Sequence, residues 1–219
     1  MKINFKMLDQ PVLIECPTLL VIEEVKLFSN IIEQIYSYTE EAELKFYDHK
    51  NNNLKANEMV IITDILGYQI NSTTFLNIIY QDIIDQLNET PEKKNQLEQT
   101  LHQLLVQVDD VLIDSELDLI ANEVDIKAVL KLFNVTIATD YHSINERFYD
   151  IVQVVNYLKK KKLLIIINSL SYLTQDQVHD LFEYITSYGL RTLFIEPRKL
   201  YGYPQYVIDS EYYVYKFEE

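Results

Sequence analysis

The sequence predicts an α/β fold: a discontinuous head interrupted by an inserted α-helical leg. Three features carry that expectation. Leu163-Leu164-Ile165-Ile166-Ile167 is an unbroken apolar run bounded by Lys159 to Lys162 on one side and Asn168-Ser169 on the other, the pattern of a strand buried on both faces. Period-2 and period-3.6 segments alternate at both ends of the chain. The middle, from Ser72 to about Phe133, contains helical periodicity and no convincing strand.

In chain order, Ile3, Phe5 and Met7 alternate with polar neighbours, and Val12-Leu13-Ile14 and Leu19-Leu20-Val21-Ile22 read as short strands separated by Pro17. Pro11 and Pro17 keep their own positions out of central ladders. From Val25 to Tyr38, Phe28, Ile31, Ile32 and Ile35 form a helical stripe. A strand at Leu44–Tyr47 leads into the turn signal Asp48-His49-Lys50-Asn51-Asn52-Asn53, and another strand follows at Met59–Thr63.

Leu76, Ile79, Ile83 and Leu87 then mark one leg helix, and Leu97, Leu101, Leu104, Val108 and Val111 a second. Thr90-Pro91-Glu92 between them is a helix start, with Thr90 as the expected cap. A short helix containing Ile126, Val129, Leu130 and Phe133 follows, then a candidate strand at Val135-Thr136-Ile137.

Ser143 with Glu146 is a capping-box pattern ahead of a helix faced by Ile144, Phe148, Ile151, Val155 and Leu158. Thr174 with Gln177 repeats it before Val178, Leu181, Phe182 and Ile185, and Gly189 is the expected C-terminal cap. Arg191–Ile195 supplies another strand, and residues 206–217 a closing strand or hairpin. The expected boundaries are 1–68 with 134–219 for the head and 69–133 for the leg.

Composition narrows the function classes. The chain has 219 residues, 48% of them hydrophobic, enough for one substantial core. A formal net charge of -15 argues against general adhesion to nucleic acid or membranes, although a mean charge can conceal a basic surface. Between Asp64 and Asp125 stand 13 acidic residues and 2 basic ones, so the leg supplies most of the negative charge. The single Cys16 excludes an intrachain disulfide framework and fits a reducing compartment. With no apolar run ahead of a cleavage site near Met1 and no membrane-length apolar stretch, the expectation is a cytoplasmic protein without membrane contact.

Chemistry is sparse. Three glycines, Gly67, Gly189 and Gly202, cannot build a phosphate-cradling loop or a dinucleotide turn, which is strong evidence against ordinary nucleotide binding. Cys16 reads as a structural thiol, and His49, His102, His142 and His179 are too dispersed to form a motif.

Asp109, Asp110, Asp114, Glu116, Asp118, Glu123 and Asp125 form the densest acidic constellation. A solvated face, a hard-cation site and paired-carboxylate catalysis all fit its residue types. Opposite charge lies at Lys50, Lys55, Arg147, Lys159 to Lys162, Arg191, Arg198 and Lys199. The tetralysine reads either as a solvated sheet edge or as a phosphate-binding surface.

Leu44–Lys50, Thr63–Gly67, Glu116–Leu119, Lys160–Ser169, Phe194–Leu200 and Tyr203–Tyr206 together resemble the short form of the type II-A CRISPR-associated spacer-acquisition protein family, across essentially the whole chain. The resemblance implies a non-enzymatic homotetrameric ring that binds double-stranded DNA ends, slides on duplex DNA and uses calcium. Such a ring acts with the integrase proteins and the RNA-guided nuclease in antiviral defence. The resemblance also implies a head like a degenerate P-loop ATPase fold.

Glu116, Asp118 and Glu123 match the family's acidic motif and become calcium-ligand candidates, joined by Asp125 at a less consistently acidic position. Lys50, Lys160, Lys161, Lys162 and Arg198 are the motif-matched DNA-binding candidates. A divalent-metal-dependent nuclease using the same carboxylates and an acidic structural scaffold are the alternatives.

Overall fold

The computed structural model describes residues 1–139, 141–158 and 160–218, which form two compact units, Met1–Tyr68 with Asp140–Glu219 and Gln69–Thr139. The first is built on a six-stranded sheet of β3 (Thr18–Ile22), β5 (Met59–Ile62), β6 (Leu163–Ile167), β7 (Thr192–Glu196), β8 (Gln205–Ile208) and β9 (Val214–Phe217). Their spatial order is β5-β6-β7-β3-β8-β9, parallel except for the β8–β9 hairpin. A second sheet of three antiparallel strands, β1 (Lys2–Asn4), β2 (Val12–Leu13) and β4 (Lys45–Tyr47), has the order β2-β1-β4.

All five residues of β3, β6 and β7 are buried. Successive side chains leave opposite faces of a strand, so a continuous apolar run requires cover on both sides. On one face Leu163, Ile165 and Ile167 join a cluster with Ile3 and Phe46 of the small sheet and Leu27, Ile31 and Ile35 of α1 (Val25–Tyr36). On the other, Ile166 lies in register with Phe194, and the Phe194 ring meets Phe182 of α6 (Gln175–Tyr188) at 5.3 Å between centroids. Helix α5 (Ile144–Tyr157) packs against α6 and buries Phe148, Ile151, Val152 and Val155. Each fully buried side chain of this size contributes about 1.5–3 kcal/mol.

Local signals explain the helix limits. The Thr174 hydroxyl accepts the Gln177 N–H while the Gln177 carboxamide accepts that of Thr174, and Gly189 closes α6 at φ 64°. The Ser143 hydroxyl caps α5 through the Glu146 N–H, but Glu146 reaches back to the N–H of His142 rather than of Ser143. Residues 205–217 form the β8–β9 hairpin expected near the C-terminus.

The second unit contains α2 (Thr73–Glu89), α3 (Pro91–Ile113) and α4 (Ile126–Leu132). Helix α2 packs against both others and buries Phe75 and Tyr80, whereas α3 buries no residue. Two expectations fail in this unit. Val135-Thr136-Ile137 is not a strand: the Asn71 side chain accepts the Ile137 N–H and donates to its carbonyl, both at 2.9 Å, replacing a ladder partner. Thr90 makes no side-chain cap on α3, because its hydroxyl donates to the Gln86 carbonyl and closes α2 instead.

Candidate nucleic-acid interface

The parallel sheet sorts the candidate cations into two groups. Lys160, Lys161 and Lys162 precede β6, and the Met59↔Leu163 register sets them beside the start of β5. Lys50 belongs to the Asp48–Asn52 turn after β4, where the Asp48 carboxylate accepts the N–H groups of Lys50 (2.7 Å) and Asn52 (2.9 Å) and Asn51 adopts φ 63°. The charge of Asp48 reaches Lys162, so this turn and the lysine run share one end of the sheet. Arg198 follows the last residue of β7 at the opposite end, five residues or about 16 Å of strand away. The five motif-matched residues therefore do not converge within one chain.

The lysines differ in what they touch. Lys162 pairs with the Glu58 carboxylate, and that bond raises its pKa. Glu58 is held below the ordinary carboxylate range by Lys162 first and then by the Lys55 N–H at 2.9 Å. The Lys161 ammonium donates to the carbonyls of Asn57 (2.8 Å) and Met59 (3.2 Å), and its burial pushes its pKa down. Lys160 is exposed and makes no hydrogen bond or ion pair with the described residues; Lys159 lies outside them. Lys50 and Lys160 thus present free side-chain charge at this end, while Lys161 and Lys162 tie the starts of two strands together.

At the other end Arg198 is exposed and its guanidinium has no hydrogen bond or ion pair among the described residues. Lys199 is held by Glu23 at 3.2 Å and lies over the rings of Tyr215 and Phe217.

Glu116, Asp118 and Glu123 are exposed along the irregular stretch between α3 and α4. Asp125 caps α4, its Oδ1 accepting the Ala128 N–H at 2.6 Å. Calcium takes six to eight oxygens. Among the described residues no group of three or more His, Cys, Asp or Glu is placed to hold a metal, so these carboxylates do not fit a calcium site within one chain.

Sequence reasoning missed Glu58 and Glu196. Glu58 was legible as the residue three after Lys55 and directly before a strand; Glu196 as the one charge ending an otherwise apolar strand.

Comparison with known proteins returns one family profile, described as CRISPR-associated protein (Cas_Csn2), matching residues 37–212. A CRISPR-associated protein Csn2 of Streptococcus agalactiae is 41% identical over 213 residues, 97% of this chain and 96% of that protein. Another, from Enterococcus faecalis, is 37% identical over 214 residues, 98% of each. Among solved structures, the crystal structure of Stu0660 of Streptococcus thermophilus superposes with a TM-score of 0.57 at 12% identity, over 90% of this chain and 69% of that one, a likeness of fold.

Proposed function

Because the chain belongs to the CRISPR-associated Csn2 family, we propose that it is a non-catalytic protein of spacer acquisition that binds the ends of double-stranded DNA without regard to sequence. The observation that carries this reading is the 37–41% identity extending over nearly the full length of both this chain and its relatives.

The working form is a homotetrameric ring. A ring gathers Lys50 and Lys160 from several copies, along with Arg198, around one duplex, supplying the convergence that one chain lacks. Lysine and arginine side chains neutralise backbone phosphates and release counterions, so affinity depends on salt and not on base sequence. An enclosed duplex is entered at its end and followed by sliding. Head and leg are taken as the two compact units, Met1–Tyr68 with Asp140–Glu219 and Gln69–Thr139, so residues 134–139 go with the leg and not, as expected from the sequence, with the head.

We read the mixed α/β head as a P-loop ATPase-like fold that no longer holds nucleotide phosphates. Strand β3 passes into α1 across only Glu23 and Glu24, too short a turn for the glycine-rich loop that separates strand and helix in a phosphate-binding P-loop. At that turn the Glu24 carboxylate accepts the N–H groups of Lys26 (3.0 Å) and Leu27 (2.6 Å). A helix N-terminus attracts anions, and here an internal carboxylate already fills it.

Calcium acts through Glu116, Asp118 and Glu123, with Asp125 at the margin. Because one chain does not gather the oxygens, the ligand set is completed by assembly, where a cation would also relieve repulsion between acidic legs. The integrase proteins and the RNA-guided nuclease are the partners in a cytoplasmic setting. No described helix is long and apolar enough to cross a membrane.

Mobility-shift titration with unrelated duplexes of equal length tests the reading. Equal affinities for linear DNA and loss of binding to closed circles are expected; sequence preference, or metal-dependent cleavage abolished by Glu116→Gln, would replace it.

A further inference from the structure

A cavity of about 510 Å³ opens at the C-terminal ends of β6 and β7, and of its lining residues the duplex reading uses only Arg198. Glu196, the last residue of β7, lines it while only 3% exposed. Its Oε1 accepts the N–H groups of Ser169 (2.8 Å) and Leu170 (2.9 Å) in the turn after β6. No other hydrogen bond or ion pair of Glu196 occurs among the described residues, which leaves Oε2 an acceptor without a protein donor. Burial raises the pKa of this carboxyl despite the two backbone bonds. Oε2 is not one of the enclosed side-chain atoms left without a partner, so it opens to the cavity, where a ligand donor can reach it.

The remaining walls specify the rest of a ligand. Leu170, Leu173 and Val178 are apolar, and Tyr203 lines the same cavity. The Tyr203 ring is fixed, since its hydroxyl donates to the Gln175 carbonyl at 2.9 Å and the ring packs on Phe182 at 5.2 Å. At the rim stands the unpartnered guanidinium of Arg198, whereas the neighbouring Lys199 is occupied by Glu23. A deep acceptor, a rigid aromatic wall and a free cation at the rim suit a flat ring that carries N–H donors and a phosphate. The place is distinct from the N-terminus of α1, which Glu24 fills.

We propose that this cavity binds a single nucleotide, with the amino group of its base donating to Glu196, the base against Tyr203 and its phosphate at Arg198. Adenine, cytosine and guanine carry the required exocyclic amine; thymine offers carbonyl oxygens beside one N–H. The nucleotide comes from solution or is the unpaired terminal nucleotide of a DNA end. The second source rests on the DNA-end reading, and the first does not.

Calorimetric titration of the full-length protein with dAMP, dCMP, dGMP, dTMP and deoxyribose 5-phosphate tests the site. Saturable binding of the three amine-bearing nucleotides is expected, with dTMP about tenfold weaker, the effect of one misplaced polar group. Deoxyribose 5-phosphate should give no saturable heat. Glu196→Gln retains a carbonyl oxygen for Ser169 and Leu170 but exchanges the free acceptor for a donor, so it should reverse the order and favour dTMP, which mere structural damage would not do. Arg198→Ala should weaken all four about equally; if Glu196→Gln fails to fold, this variant and the unaltered protein's preference decide.

Duplexes with one-nucleotide 3′ overhangs, compared with blunt ones, separate the sources. Tighter binding of overhangs, removed by Glu196→Gln, assigns the cavity to DNA ends; binding of free nucleotides with no overhang effect assigns it to a soluble ligand. Absence of both, or equal binding of deoxyribose 5-phosphate, overturns the proposal. If blunt duplexes still bind in that case, the DNA-end reading stands without it.

Discussion

The head and the leg both carry periodic apolar residues, but the head buries them and the leg largely does not. Strands β3, β6 and β7 bury every one of their residues, whereas α3, the longest helix described, buries none. Its C-terminal turns leave Val111 73% and Ile113 77% exposed, and Leu117 just beyond is 70% exposed. Tertiary packing supplies most helical stability in proteins, so a helix with an unburied stripe draws little from its own chain. The head supplies the stability of the fold; the leg presents surface. The segment from Asp64 to Asp125, with 13 acidic and 2 basic residues, also makes close approach of the same segment in another copy electrostatically unfavourable.

The sharpest way to break that contrast is a matched pair of truncations. Phe148→Ala in α5 removes a fully buried ring and should cost about 3–5 kcal/mol, whereas Val111→Ala in α3 should stay within about 0.5 kcal/mol. Urea unfolding of both variants measures this, and equal losses would erase the distinction. Replacing Leu104, Val111 and Ile113 together by serine should then leave the unfolding midpoint nearly unchanged while sedimentation velocity reports smaller assemblies. An unaltered oligomer would place the interface elsewhere.

The lysine run sharpens the comparison inside the head. Lys160→Ala should weaken binding of unrelated duplexes alike and reduce the slope of log affinity against log salt by about 1 for each phosphate left unneutralised, read from titrations at several salt concentrations. Lys161→Met should barely affect DNA, and removing its two hydrogen bonds to carbonyls should cost about 1 kcal/mol. Because burial lowers the pKa of Lys161, the unfolded chain holds more protons between that lowered value and 10.5. Stability should therefore rise with pH across that window, and the methionine variant should flatten the rise in urea midpoints. The smallest effect expected is in the leg: Glu116→Gln with Asp118→Asn should diminish the calorimetric response to calcium without moving the unfolding midpoint.

What the sequence disclosed depended on whether the deciding partner was local. The buried β6 run, the Thr174–Gln177 box and the Gly189 cap are specified by neighbours within a few residues, and each appears where the pattern puts it. Val135–Ile137 looked like a strand because β-branched residues favour one, but Asn71, 66 positions earlier, takes its backbone bonds. The acidic motif was legible as composition, yet spacing along an irregular segment does not determine where carboxylates point. The basic residues were legible as charges. Their division between the two ends of the sheet follows from strand order, which joins β5 to β6 across more than 100 residues of sequence.

Mass measurement in solution, with calcium and either linear or covalently closed duplex DNA, addresses the ring most directly. Four copies on each linear molecule and none retained on closed circles is the predicted result. A monomer bound to linear DNA, or equal loading on the circle, would contradict it.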